Sequence, residues 1–382
     1  MRAGLLLVLG ACSGSSALEP DAAPGGGSAM PDTPVVADAS PLEVRSLGVQ
    51  GFMLHYGHDS VMTAPLFTRQ SAIEVTFNVP LAADTAAIDA GLAGIPLDEL
   101  RAVVSGHAHY DHFIDVPHVL EKAPGAIAYT NLTGRHMLSA LAPDRPGCSN
   151  AQPQPMLPRS RVIAMDDELA SHVDYTNCPN QRPAGAPLEG SWIQVPNSHV
   201  RILPVCSMHP AQVGPYHFGE GSIAQDQCSL PSAAAGWLEG QTLALVIDFL
   251  DDNGKPAYRV FYQDAPTNAP IGHVPAVMLE DKQVDVALLC VGSADAVEDH
   301  PGQIVANIRP RFALSGHWED FFQPMGAAPQ PIPLLDVDGY KARALAALPG
   351  APDAPLVIDG EPRSVRHVLV DPGTRFVVPP AP

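Results

Sequence analysis

Cationic side chains are scarce in this chain. Twenty-one lysines and arginines stand against 41 aspartates and glutamates, a formal net charge of −20 over 382 residues. A surface of that sign repels phosphate backbones, which argues against nucleic acid as a partner unless bound metal supplies local positive charge. Charged residues are 16% of the total and hydrophobic ones 46%, so the charge is spread thinly and there is apolar material for a large core. No two of the six cysteines are separated by two residues, so the spacing of a structural zinc knuckle is missing. No apolar run reaches the length of a transmembrane helix. Proline and glycine, at 41 and 32, are plentiful, which predicts long irregular connections between elements.

The N-terminus carries Arg2, a short apolar run from Leu5 to Leu9, then Gly10, Ala11 and Cys12. It resembles a bacterial lipoprotein signal with the lipobox Leu9-Gly10-Ala11-Cys12. The resemblance implies a signal peptide over 1–11, cleavage before Cys12 and a lipid on that cysteine. The mature chain would then be anchored to a membrane rather than span it, in the bacterial cell envelope, periplasmic or surface-facing. Ser13 in place of aspartate after the cysteine favours the outer membrane. An ordinary secretory signal is the alternative. Residues 12–41 read as a flexible tether reaching roughly 30 Å, and 42–375 as the functional domain. With Cys12 acylated, Cys148, Cys178, Cys206 and Cys228 are enough for two disulfides of open connectivity, and Cys290, inside an apolar run, reads as a buried free thiol.

Within the domain the hydrophobic pattern alternates between strands and helices, which predicts an α/β fold. Strands are expected at 47–54, 60–63, 101–104, 126–129, 161–163, 200–205, 242–250, 258–262, 284–291 and 311–314. Helices are expected at 84–92, capped by Asp84, and at 115–121 and 133–141. Residues 142–198 are proline-rich and read as an insertion or lid-like excursion.

Chemistry concentrates in Ser105-Gly106-His107-Ala108-His109-Tyr110-Asp111-His112, directly after an apolar strand. Three further apolar runs end within a few residues in His209, Asp264 and His317. Ser-Gly-His occurs twice, at 105–107 and 315–317. Strands that end in histidine or aspartate place reactive groups on loops at one edge of a sheet. His209 competes with His217, Asp264 with Asp248, Asp251 and Asp252, and His317 with His300. Position after a strand favours the first of each set. Imidazole and carboxylate without thiolate suit Zn²⁺, with Mn²⁺ or Fe²⁺ as alternatives.

His107-x-His109-x-Asp111-His112, completed by His209, Asp264 and His317 in that order, resembles the metallo-β-lactamase-fold superfamily of metal-dependent hydrolases. Tyr110 and the continuation Phe113-Ile114-Asp115-Val116-Pro117 are similar to the branch that contains sugar-lactone hydrolases and phospholipase-D-like enzymes acting on N-acyl phosphatidylethanolamine. The resemblance implies a four-layer αββα sandwich holding two divalent metal ions. His107, His109 and His209 would hold one ion; Asp111, His112 and His317 would hold the other; Asp264 would bridge. A hydroxide shared by the ions would attack an ester-like or phosphodiester bond of a lipid or small metabolite, with Asp111 orienting it or moving its proton. Tyr110, His217 and His273 are candidates for substrate contact. A lactonase or β-lactam hydrolase is the alternative enzyme, and a non-catalytic metal-binding surface lipoprotein the alternative of another class. One departure stands out. Where the family carries Asp-Pro after its second strand, this chain reads Thr63-Ala64-Pro65, and Asp59 is the nearest carboxylate to take over its supporting role.

Overall fold

Most strands are buried on both faces, and successive side chains that point into different cores build the layers. The computed structural model describes residues 40–149, 155–169 and 187–382. Its first part runs β1 (Leu42–Gly48), β2 (Gly51–Tyr56), β3 (Asp59–Thr63), α1 (Ala72–Thr76), α2 (Thr85–Leu92), β4 (Leu100–Val104), α3 (Tyr110–Phe113), α4 (Val116–Lys122), β5 (Ile127–Thr130), α5 (Leu132–Leu138) and β6 (Val162–Ala164). The second part runs β7 (Ile193–Gln194), β8 (Val200–Cys206), β9 (Leu243–Leu250), β10 (Pro256–Gln263), β11 (Val286–Cys290), α6 (Gly302–Ile308), β12 (Phe312–Gly316), α7 (Val337–Ala347) and β13 to β16 (Leu356–Ile358, Glu361–Arg363, His367–Leu369, Arg375–Val378).

Two sheets result, in the orders β14-β13-β16-β1-β2-β3-β4-β5-β6 and β15-β12-β11-β10-β9-β8-β7. On β4, Ala102 and Val104 face one cluster while Leu100 and Val103 face another. On β9, Leu243, Leu245, Ile247 and Phe249 face inward, and Ala244 and Val246 outward. The inward residues of both sheets share a single core, as two packed sheets must. On the outside of the first sheet, Ile88 and Leu92 of α2, Val119 and Leu120 of α4 and Met137 of α5 complete a second core. Ile304, Val305 and Ile308 of α6 do the same for the second sheet, and Tyr340 and Ala344 of α7 join Val291. This is the four-layer αββα sandwich that the resemblance implies.

Three expectations change. The strand expected at 47–54 is a hairpin: β1 and β2 pair antiparallel around a turn at Val49-Gln50, and Val49 takes a positive φ of 52°. The segment 142–198 is no excursion where it is described, because β6 closes one edge of the first sheet and β7 one edge of the second. The fold also runs past 375. β16 pairs with β1 through Leu42↔Val378, so the chain's end sits beside the first strand of the domain.

Cys148 and Cys228 form a disulfide, Cys206 is also disulfide-bonded, and Cys290 is free and buried. Cys12, the lipobox and Cys178 lie outside the described residues. No helix among the described residues is long and apolar enough to cross a membrane.

Candidate metal centre

The seven ligand candidates come together at one edge of the sandwich because four strands, β4, β8, β10 and β12, end there. After β4 the chain turns at Gly106, where an added Cβ would collide with the Asp264 carboxylate and the carbonyl of Leu243. Only glycine lets the loop sit that close to the second sheet. The loop is then pinned through its backbone: Ser105 N donates to Tyr129 O, Ala108 N to Glu239 O, and Leu243 N to Gly106 O, at 2.8–3.0 Å. His109 precedes the one-turn helix α3 at its N-cap position without a side-chain cap bond, and the helix carries Asp111 and His112 inward.

His107, His109 and His209 form a near-regular triangle, with ring centroids 4.7, 4.9 and 5.0 Å apart. Each ring has one nitrogen occupied from behind. His107 Nδ1 donates to Asp264 Oδ1 at 3.0 Å, His109 Nε2 to Gly219 O at 3.3 Å, and His209 Nδ1 to Pro210 O at 2.6 Å. Those bonds fix the tautomers and leave His107 Nε2, His109 Nδ1 and His209 Nε2 with their lone pairs free. His107 Nε2 is buried without any partner, a costly state that a bound cation relieves.

In the second group, Asp111 Oδ2 lies 3.5 Å from His112 Nε2 and 3.3 Å from His317 Nε2. A tetrahedral ion with ligands at about 2.0 Å separates its ligand atoms by about 3.3 Å, so the spacing fits zinc. The two groups adjoin through His107 and His112, whose rings are 4.3 Å apart. Asp264 stands within ligand distance of both His107 and His112, one member of each group.

Burial sets the protonation. His107, His109 and His112 are each held down to about 3, chiefly by desolvation, so all three are neutral and ready to coordinate. Burial lowers His209 in the same way. Desolvation works to raise Asp111, but His112 and His317 beside it hold its carboxyl well below the usual range. Neutral imidazoles and ionised carboxylate are the donor set a divalent cation requires.

The competitors separate clearly. Asp248 is buried in an ion pair with Arg201 and Arg259, Asp251 accepts two amides of its own turn, and His300 bonds the carbonyl of Cys290. Tyr110 packs at the edge of the first helical core. His273 bonds Gln303 rather than joining the ligand groups. His217 stacks on His209 with centroids 5.4 Å apart.

Asp59 does not substitute for the acid missing at position 64. It sits at the opposite end of β3, bonded to Arg101 Nε at 2.8 Å and to the His199 amide at 2.7 Å. Asp264 supplies the support instead, because its Oδ2 accepts the Gly106 amide at 2.7 Å and so holds the ligand loop directly.

Three elements around the site carried no strand-end signal. His317 adopts a positive φ of 59°, and its amide donates to Val49 O at 2.7 Å, while Val49 N donates to Glu319 Oε1 at 2.7 Å. Two strained residues thus hold each other, and the β1–β2 turn locks the His317 loop. Gln50 of the same turn donates to Gln263 O at 3.0 Å, beside Asp264. Glu239 is the third: buried, bonded to His217 Nε2 at 2.7 Å and 3.9 Å from His109 Nε2. It precedes β9, which is antiparallel to β8 and β10, so the start of β9 meets the ends of its neighbours. A search confined to strand ends passes over it.

A scan of protein-family models matches none, and a search of curated proteins finds no match. Among solved structures, the chain is similar to Igni18, a metallo hydrolase from Ignicoccus hospitalis, at 14% identity over 88% of this chain and 99% of that one, with a TM-score of 0.45. It is similar to the metallo-beta-lactamase fold protein YhfI from Bacillus subtilis at 10% identity over 88% and 99%, TM-score 0.43. An isothiocyanate hydrolase from Delia radicum gut bacteria aligns at 12% identity over 87% and 98%, TM-score 0.43.

Proposed function

We propose that this chain is a binuclear metal-dependent hydrolase that cleaves an ester-like or phosphodiester bond in a lipid or small metabolite. The observation that carries the reading is the pair of three-ligand groups, His107/His109/His209 and Asp111/His112/His317, adjoining at one edge with Asp264 in reach of both. When bound, two divalent ions there polarise a carbonyl or phosphoryl group and lower the pKa of water toward neutrality. The chain does the rest. Asp111 Oδ2 faces His112 and His317, which leaves its other oxygen to orient the attacking water. Asp264 fixes His107 and the Gly106 amide, so the site is assembled before substrate arrives.

Five histidine ligands and two carboxylates around two divalent ions leave the centre net positive. That balance favours an anionic phosphodiester and the oxyanion formed on attack. The lipobox-like Leu9–Cys12 supports a lipid-anchored protein of the cell envelope, where lipid substrates are at hand. The test is a panel of bis-p-nitrophenyl phosphate, lactones and nitrocefin, run with metal-loaded and metal-stripped protein. Turnover of the phosphodiester by the loaded form is expected. Turnover of the carbonyl substrates alone would replace this reading with a lactonase or β-lactam hydrolase, and none on any substrate would favour a non-catalytic metal-binding protein.

A further inference from the structure

A third ligand group overlaps the first: His209, His217 and Glu239 also lie within coordinating distance of one another. The His217 and His209 rings stack at an interplanar angle of 28°, and Glu239 Oε2 is 2.7 Å from His217 Nε2. His217 has 19% of its side chain exposed and Glu239 has 8%. The group therefore spans from the protein surface to the buried triangle, with His209 as the shared member.

His209 has one nitrogen to give, since Nδ1 is committed to Pro210 O. It cannot serve an ion at the His107/His109 position and a second ion at the His217/Glu239 position together. Glu239 is buried, its only side-chain hydrogen bond among the described contacts runs to His217, and it stands 3.9 Å from the ring of His109. A carboxyl group so placed, bonded to His217 and facing His109, is a member of neither of the first two three-ligand groups.

From this we infer that His217 and Glu239 form a loading station for the first metal: a divalent cation is captured there, with His209 as third ligand, and then passes to His107 and His109 while His209 keeps hold. The transfer breaks the bonds to Glu239 and His217 and makes those to His107 and His109, with no change of charge or redox state. The loop that carries His217 is built to stay at this post. Gln212 N donates to Tyr216 O, Phe218 N to Gln212 Oε1, and an added Cβ at Gly219 would press on His109 Nε2.

The inference rests on the binuclear reading and is separable from it. Apo protein and His217→Gln and Glu239→Gln variants are mixed with Zn²⁺, and uptake is followed by stopped flow with a chromophoric chelator. Release into excess chelator and the equilibrium ion count are measured alongside. A station on the path speeds entry and exit alike, so both rates are expected to fall by the same factor in each variant while affinity and the count of two ions stay unchanged. Unchanged rates would overturn the inference. So would a roughly tenfold-to-hundredfold loss of affinity, which would make Glu239 an outer support of His109. Wild-type protein that takes up no zinc would instead overturn the binuclear reading itself.

Discussion

Stripping the ions should turn this fold acid-labile, by an amount the burial of its histidines sets. His107, His109 and His112 fall from 6.5 to about 3 on burial. A group whose folded pKa is depressed in this way stays neutral in the native state while its unfolded counterpart takes up a proton. Native stability is therefore intact above 6.5 and drains away as the pH falls from 6.5 toward 3. At pH 5 one such histidine costs about 2 kcal/mol, and because the three rings are coupled their costs do not simply add. Domains carry roughly 5–15 kcal/mol in all, so even that loss is a large share. The assay is urea unfolding of chelator-treated protein from pH 7.5 to pH 5, with the zinc-restored protein beside it. Restored protein should hold its midpoint further down the pH scale, because the ions keep the imidazole lone pairs engaged. A midpoint of apo protein that stays flat between pH 7 and pH 5 would refute the reasoning, since it would mean these histidines are not held neutral in a dry site.

Three further outcomes follow from the same geometry. Gly106→Ala forces a Cβ into Asp264 and Leu243, so it should destabilise by about 1–3 kcal/mol and lower metal content, read by thermal melts and elemental analysis. Asp264→Ala removes the acceptor of the Gly106 amide and the partner of His107, and should cost far more metal affinity than Asp59→Ala, which lies at the far end of β3; competition with a chelator compares them. Cys148→Ser with Cys228→Ser opens a disulfide spanning 80 residues and should lower stability by roughly 2–4 kcal/mol in denaturant titration, with the ion count unchanged.

The candidate ligand groups were legible because their signal is local. Four residues within His107–His112 declare themselves by spacing, and His209, Asp264 and His317 follow strands whose apolar runs are unmistakable. The layers came with the resemblance that the ligand motif carries, because β4 and β9 are buried on both faces and their apolar runs do not alternate. What stayed hidden depends on pairing across long sequence separations. β16 closes against β1 only through tertiary contact, and its Arg375–Val378 stretch is too short to announce itself. Val49 and Gln50 look like strand interior, and only the turn shows them gripping the loops of His317 and Asp264. Glu239 was hidden because an antiparallel strand brings its beginning to the site. For the acid absent at 64, Asp59 is near in sequence but lies at the far end of β3, whereas Asp264 reaches the ligand loop from the second sheet.

The central claim is two ions on two adjoining ligand groups, and elemental analysis of the purified chain beside His109→Ala and His112→Ala tests it most directly. Two divalent ions per chain are expected in the wild type, with selective loss or weakening of one ion in each variant, from the His107/His109/His209 group in the first and the Asp111/His112/His317 group in the second. A wild type that binds fewer than one ion per chain, or variants that retain both as tightly as the wild type, would contradict it.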